Sequence, residues 1–137
     1  MSEKITLELT REQARAVMDA TELLARLEIG QFEEITWQMI DRFLGQDKNG
    51  KPTFDERSRD LANAYLKCAC LAVFGTKNGW PDVCEKSIQH HRCWAVYAAI
   101  RYALAWHDHP EGGDTVDFGE PLGYGEPLPK CRVEGDT

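Results

Sequence analysis

The segment that most constrains the fold of this chain is a run of fourteen residues, 93–106, in which Arg101 is the only charged side chain. A helix on a protein surface carries polar residues along one face, and this run has almost none to offer. We therefore expect a helix buried on most sides, either within its own domain or against a second subunit. The 137 residues suit a single domain spanning residues 1–137, because a chain of this length buries about two thirds of its surface around one core.

The net charge of −7 is concentrated at one end of the chain. Residues 107–137 contain eight acidic and two basic side chains, so this Gly- and Pro-rich segment is expected to form an acidic flap or a subunit contact. The acidity excludes non-specific binding to DNA or acidic membranes, which requires a surplus of Lys and Arg. No apolar run is long enough for a membrane span, and five cysteines without a secretory leader indicate reduced thiols in the cytoplasm.

Hydrophobic periodicity predicts four helices, over residues 11–30, 31–44, 55–74 and 81–107. Thr10 and Gln13 form a capping-box pattern, Asp55 is suited to cap the third helix, and Gly30 and Gly75 are suited to end helices. Strict alternation predicts a strand at 4–9, and short strands are expected at 115–118 and 130–134. The predicted class is therefore α+β, with a small antiparallel sheet made of the N-terminal strand and the two C-terminal strands.

Arg101 is the most informative single residue, because a buried guanidinium needs a carboxylate or a phosphate beside it. At helical spacing it shares a stripe with Tyr97, Trp94 and His90. Such a stripe could stack a flat base and hold an anionic group. The alternative is that Arg101 pairs with an internal Asp or Glu and that the aromatic side chains belong to the core.

The junction between the first two helices offers a second candidate site. Free backbone amides at the start of the second helix could receive an anion, although a plain turn is the simpler interpretation. The residues around this junction are Arg26, Gly30, Gln31 and Phe32. At the start of the third helix, Arg57, Arg59 and Asp60 are more typical of a solvated first turn than of a site.

Neither a metal site nor an enzyme is predicted. The Cys and His residues near the fourth helix lack the paired spacing of a zinc knuckle, and no phosphate loop, nucleophile elbow or His-Glu-x-x-His motif is present. No cofactor is implied. The residues considered for a metal are Cys84, His90, His91, Cys93, His107 and His109.

Three parts of the sequence, residues 4–14, residues 25–35, and residues 100–106 with 110–113, 116–118 and 126–130, resemble the phage-encoded Thoeris anti-defence proteins of the first type. These proteins sequester cyclic ADP-ribose isomers made by bacterial TIR-domain enzymes. The resemblance is good at both ends of the chain and poor over residues 45–92. It implies a small α+β protomer that assembles into dimers or hexamers and binds its ligand, in the host cytosol, without chemistry.

The resemblance and the residue patterns meet at the fourth helix and the acidic flap. A dinucleotide-like ligand requires Arg donors, an aromatic platform and a loop that excludes water. The junction residues above would form a second site, for cyclic di- or trinucleotides. Two other functions stay open: a small acidic inhibitor that binds a host protein directly, and a hydrolase of the signal. The expected ligand-binding residues are Trp94, Tyr97, Arg101, Trp106, His107, Gly112, Gly113 and Thr115.

Overall fold

The computed structural model of the protein describes residues 3–40, 45–83 and 87–135. These residues contain four α-helices and a two-stranded antiparallel sheet, which confirms the α+β class. The chain divides into two compact units, one formed by residues 1–22 and 91–137 and the other by residues 23–90. The helices are α1 (Arg11–Glu28), α2 (Glu34–Met39), α3 (Glu56–Phe74) and α4 (Ile88–Asp108).

Helix α1 begins where its capping box predicts. The amide of Gln13 donates to Thr10 Oγ1 over 3.1 Å, and the amide of Thr10 donates to Gln13 Oε1 over 2.9 Å. This reciprocal pair satisfies two of the backbone donors that a helix start leaves free. The expected stop is also confirmed, because α1 ends at Glu28 and Gly30 adopts a left-handed φ of +82°.

Helices α2 and α3 pack against each other within the 23–90 unit. Asp55 caps α3, since its carboxylate accepts a 2.7 Å hydrogen bond from the amide of Ser58. Gly75 ends the helix with a φ of +73°, as predicted. The second helix is shorter than expected, because residues 31–33 form turns before α2 starts at Glu34. Its predicted end, residues 41–44, lies outside the described residues.

The predicted start of the fourth helix at Pro81 is wrong, because a hairpin lies there. Thr76–Lys77 forms strand β1 and Trp80–Pro81 forms strand β2, with Thr76 opposite Pro81 and Lys77 opposite Trp80. The two residues between them, Asn78 and Gly79, have φ values of +54° and +81°. These angles belong to the tight turn that Asn-Gly favours in hairpins, and the hairpin delays the start of α4 to Ile88.

The strands predicted at the two ends of the chain are also absent from the described residues. Residues 4–9 and 130–134 form no ladder, and Val116–Phe118 is a 3₁₀ turn instead of a strand. Ile5 and Leu7 are 90% and 70% exposed. Alternation alone does not make a strand, because backbone groups need a neighbouring ladder and apolar side chains need a face to pack on. In the described residues the sheet is therefore the local hairpin of β1 and β2.

Helix α4 begins at a well-defined contact in the 23–90 unit. Ser87 Oγ accepts from the amide of His90 over 3.0 Å and donates to Glu28 Oε2 over 2.9 Å. The buried His90 ring places Nδ1 2.8 Å from the carbonyl oxygen of Ala25, so Nδ1 carries the proton in this contact. These bonds fix the end of α1 against the start of α4.

The apolar run within α4 is only partly covered. Cys93 and Ala99 are buried, the other apolar side chains between residues 93 and 105 are half-buried, and Trp106 is 39% exposed. In the part of the chain that the structure describes, no helix is long and apolar enough to cross a membrane.

Candidate functional site

Arg101 lies in a position with few partners for its charge. Its guanidinium carbon is 5.1 Å from the centre of the Tyr97 ring, and its Nε is 3.6 Å from Asp117 Oδ1. That Nε atom is buried and has no hydrogen-bond partner among the described residues. A buried donor without a partner is costly, so the site retains an unmet demand for an acceptor.

The stripe predicted on α4 forms in part. Trp94 and Tyr97 meet edge to face, with ring centroids 5.3 Å apart, and the Arg101 guanidinium lies over the Tyr97 ring. His90, the fourth member, is hydrogen-bonded to the Ala25 carbonyl oxygen. The carboxylate alternative also finds support, because Asp117 of the acidic segment lies beside Arg101.

The first part of the acidic segment packs on the end of α4. Trp106 Nε1 donates a 3.2 Å hydrogen bond to the Phe118 carbonyl, and the two rings meet edge to face at 5.4 Å. A Cβ on Gly112 would lie 3.0 Å from Trp106, and one on Gly113 would lie 2.5 Å from Phe118. Both glycines therefore allow close packing, and Gly112 also has a φ of +84°.

Thr115 and His107 lie near this contact, but within the described residues neither side chain is hydrogen-bonded to Arg101. The Thr115 hydroxyl is 3.5 Å from Asp117 Oδ2, which places it in the same turn as the carboxylate beside Arg101. His107 is half-buried in the last turn of α4. Of the eight predicted ligand residues, the geometry links Trp94, Tyr97 and Arg101 in one row and Trp106, Gly112 and Gly113 in the contact with Phe118.

Two further contacts hold the acidic segment along α4. Arg92 Nη2 and Glu126 Oε1 are 2.6 Å apart in a two-pronged ion pair, and the rings of His91 and Tyr124 stack at 4.4 Å. The bond from Arg92 holds the pKa of the Glu126 carboxyl below its ordinary value. Among the described residues, the segment thus contacts α4 through Asp117, Phe118, Tyr124 and Glu126.

The predicted second site is a closed junction. Arg26 Nη1 donates to Gln31 Oε1 over 2.8 Å, and Arg26 Nε is 3.5 Å from Glu34 Oε2. A Cβ on Gly30 would lie 3.0 Å from a Val83 methyl carbon, and Phe32 packs edge to face on Phe74. These contacts give every predicted residue of the junction a structural role, and they favour the turn interpretation.

The metal candidates do not assemble. Cys84 lies outside the described residues, and within the described ranges no three His, Cys, Asp or Glu side chains are placed to hold an ion. Cys68, Cys70 and Cys131 are free thiols. The Cys70 thiol donates to the Gly30 carbonyl oxygen over 3.2 Å, and burial raises the pKa of this thiol.

A cavity in the 23–90 unit was not foreseen from the sequence. It has a volume of about 320 Å³, lies between α2 and α3, and is lined almost entirely by alkyl and aromatic side chains. Arg59, which the sequence favours as a solvated residue, lies at its wall with its guanidinium 5.7 Å from the Phe54 ring and 5.9 Å from the Trp37 ring. Sequence spacing gave no signal, because Trp37 is distant from Arg59 along the chain.

No protein-family model, curated protein or solved structure matches this chain. The geometry of the row on α4 and the resemblance of the three sequence parts are therefore the grounds for a functional proposal.

Proposed function

We propose that this protein binds a cyclic nucleotide immune signal and sequesters it without chemistry, acting in the bacterial host cytosol as a phage anti-defence protein. The preferred ligand is a cyclic ADP-ribose isomer. The observation that carries the proposal is the Arg101 guanidinium, stacked on Tyr97 with a buried Nε that has no hydrogen-bond partner among the described residues.

The chemistry of Arg101 fits a phosphate better than a single carboxylate at 3.6 Å. A guanidinium has five donors in a rigid fork, and a phosphate offers several acceptor oxygens to that fork. The Tyr97 and Trp94 rings meet edge to face in the same row, and a ring face of this pair would receive an adenine ring by stacking. Together they supply the two recognition elements that a cyclic ADP-ribose isomer requires.

In this proposal, the acidic segment occupies Arg101 until the ligand binds. Asp117 neutralises part of the charge of Arg101 in the free protein, and an incoming phosphate displaces it. The adjacent contact between Trp106 and Phe118 keeps the segment on α4 while Asp117 moves. This arrangement explains how an acidic protein accepts an anionic ligand, because the phosphate takes the place of the carboxylate nearest to Arg101.

Retention of the intact signal tests the proposal. The protein is incubated with cyclic ADP-ribose isomers, freed of unbound ligand and heat-denatured, and the supernatant is analysed by mass spectrometry. Intact cyclic nucleotide is expected. A linear product would instead identify a hydrolase, and an empty supernatant would favour an inhibitor that binds a host protein.

Substitution of two arginines, one at a time, tests where the ligand binds. Arg101→Gln should reduce retention at least about tenfold, because a charge-assisted bond contributes about 1.5–3 kcal/mol. Arg15→Gln is the matched control, since Arg15 is exposed on α1 and makes no ion pair within the described ranges. Equal retention by both variants would contradict the assignment of Arg101. Loss with Arg26→Gln alone would move the ligand to the junction.

A further inference from the structure

The cavity between α2 and α3 combines three features that the nucleotide proposal does not use. Its wall is apolar, built mainly from side chains such as Ile35, Met39 and Leu66. Its volume of about 320 Å³ falls within the range of small-molecule sites in proteins. Four of its lining residues carry polar side-chain groups, Thr36, Ser58, Arg59 and Tyr65, and two of these, the Thr36 hydroxyl and the Arg59 guanidinium, bear on the choice of ligand.

The first polar group is a buried hydroxyl without a partner. Thr36 is only 7% exposed, and its Oγ1 makes no hydrogen bond to any described residue. A buried hydroxyl in this state carries a desolvation penalty that a bound acceptor would remove.

The second polar group is a cation held by aromatic faces. The Arg59 guanidinium lies over both the Phe54 and the Trp37 rings, and no carboxylate of the described residues lies within ion-pair distance of it. Arg59 is half-buried, so its charge is partly removed from water. An anionic group at this wall would therefore gain a direct charge-assisted contact.

We propose that this cavity binds a small amphipathic carboxylate of the medium-chain fatty-acid type, with its alkyl body in the apolar interior and its carboxylate on Arg59. The lining argues against a nucleotide, because a ribose and a base would leave most of their polar groups unpaired there. It argues against a neutral apolar molecule because the arginine would then stay without a counter-charge.

Calorimetric titration with decanoate below its micelle concentration tests the site. Saturable binding of one decanoate per protomer is expected. Octanoate, which lacks two methylenes, should bind about 15-fold more weakly, because each buried methylene contributes about a fourfold change in affinity. Absence of saturable binding would overturn the proposal.

Two arginine variants test whether the carboxylate end of the ligand lies at Arg59. Arg59→Gln should weaken decanoate at least about tenfold and leave the binding of 1-decanol unchanged. Arg57→Gln is the matched control, because Arg57 is exposed on the same helix and does not line the cavity. Equal weakening by both arginine variants, or equal binding of decanoate and decanol to the native protein, would overturn the carboxylate assignment.

A third variant keeps the test decisive if Arg59→Gln fails to fold, which far-UV circular dichroism reports. Ala62→Phe fills the cavity from the α3 side and should abolish decanoate binding. Retained decanoate binding in a folded Ala62→Phe protein would contradict this location. Nucleotide retention is expected to be unchanged in all three variants, so failure here leaves the proposal for Arg101 to be judged by its own assay.

Discussion

At the scale of single residues, the Asp117 carboxylate competes with the ligand for Arg101 in the proposed nucleotide site. Asp117 lies 3.6 Å from Arg101 Nε and its side chain is 47% exposed, so the pair is partly screened by water. An exposed ion pair contributes about 0.2–1 kcal/mol, far less than a phosphate bound by the whole guanidinium fork. The carboxylate is therefore a weak competitor that a phosphate can replace.

Asp117→Asn should consequently tighten binding of a cyclic ADP-ribose isomer by about twofold to fivefold, because it removes the competitor and keeps the size of the side chain. Calorimetric titration of the native and variant proteins measures the change. Asp114→Asn, which removes a nearby exposed charge, is the control. Weaker binding by Asp117→Asn would mean that the carboxylate contacts the ligand directly.

The glycines of the acidic segment differ sharply in what surrounds them. Gly113→Ala should destabilise the fold by about 1–3 kcal/mol, because its Cβ would lie 2.5 Å from the ring of Phe118 and one of the two would have to shift. Gly123→Ala has open space at its Cβ and should change the stability by less than about 0.5 kcal/mol. Urea unfolding followed by fluorescence compares them, and equal stabilities would disprove the close contact.

The candidate site was predictable only where its residues share one helix. Tyr97 and Arg101 are four residues apart on α4, so helical periodicity brings them together without any knowledge of the fold. Asp117 beside Arg101 and Trp37 beside Arg59 depend on how separate segments pack. The spacing of residues in the sequence does not predict such contacts, so the cavity was not predicted.

At the scale of elements, local side-chain chemistry sets the ends of the helices. The Asp55 cap is a clear case, because its carboxylate meets the Ser58 amide at 2.7 Å. Asp55→Ala should lower the free energy of unfolding by about 0.5–2 kcal/mol. Asp60→Ala, an exposed position within the same helix, is the control for loss of charge. Equal effects of the two substitutions in urea unfolding would refute the capping role.

Elements that depend on local signals were predicted correctly, and those that depend on distant partners were not. The Thr10 capping box and the Gly75 stop act within a few residues and hold in the structure. The alternation at residues 4–9 needs a neighbouring strand, and in the described residues none is present. The Asn78-Gly79 turn is also a local signal, but strands of only two residues show no hydrophobic periodicity, and the hairpin was therefore not predicted.

One ion pair links segments far apart in the sequence, within the unit formed by residues 1–22 and 91–137. The guanidinium of Arg11 donates two hydrogen bonds, of 2.9 and 2.8 Å, to the carboxylate of Asp108. These bonds hold the pKa of Asp108 below its ordinary value, as the bonds from Arg92 do for Glu126. A lowered carboxyl pKa stabilises the fold above the ordinary pKa, and that stabilisation is lost as the pH falls through the lowered value.

The stability difference between the native protein and Asp108→Asn should therefore be largest above about pH 4–5 and shrink toward zero below that range. Urea unfolding at several pH values between 2 and 7 measures it. Asp114→Asn is the control, because Asp114 makes no ion pair among the residues described. A difference that persists at pH 2 would show that the substitution acts through packing and not through charge.

For the whole molecule, the exposed apolar face of α3 is where we propose that a second copy of the chain binds, as the sequence resemblance implies. Leu61, Tyr65 and Val73 are 56%, 69% and 69% exposed and lie along one side of the helix. Exposed apolar stripes of this kind mark subunit contacts, because a second copy removes them from water. We expect a mass that is a multiple of 15.6 kDa in size-exclusion chromatography with light scattering.

The double variant Leu61→Glu and Val73→Glu should shift this mass toward 15.6 kDa, because each buried carboxylate would oppose association. Lys67→Gln, on the same helix but outside the stripe, changes the charge of the chain in the same direction and should leave the assembly intact. A native protein that elutes at 15.6 kDa at every concentration would exclude the homo-oligomer. Nucleotide retention measured on the dissociated variant then decides whether the ligand site lies within one protomer, since a site completed by a second copy would lose its ligand together with the assembly.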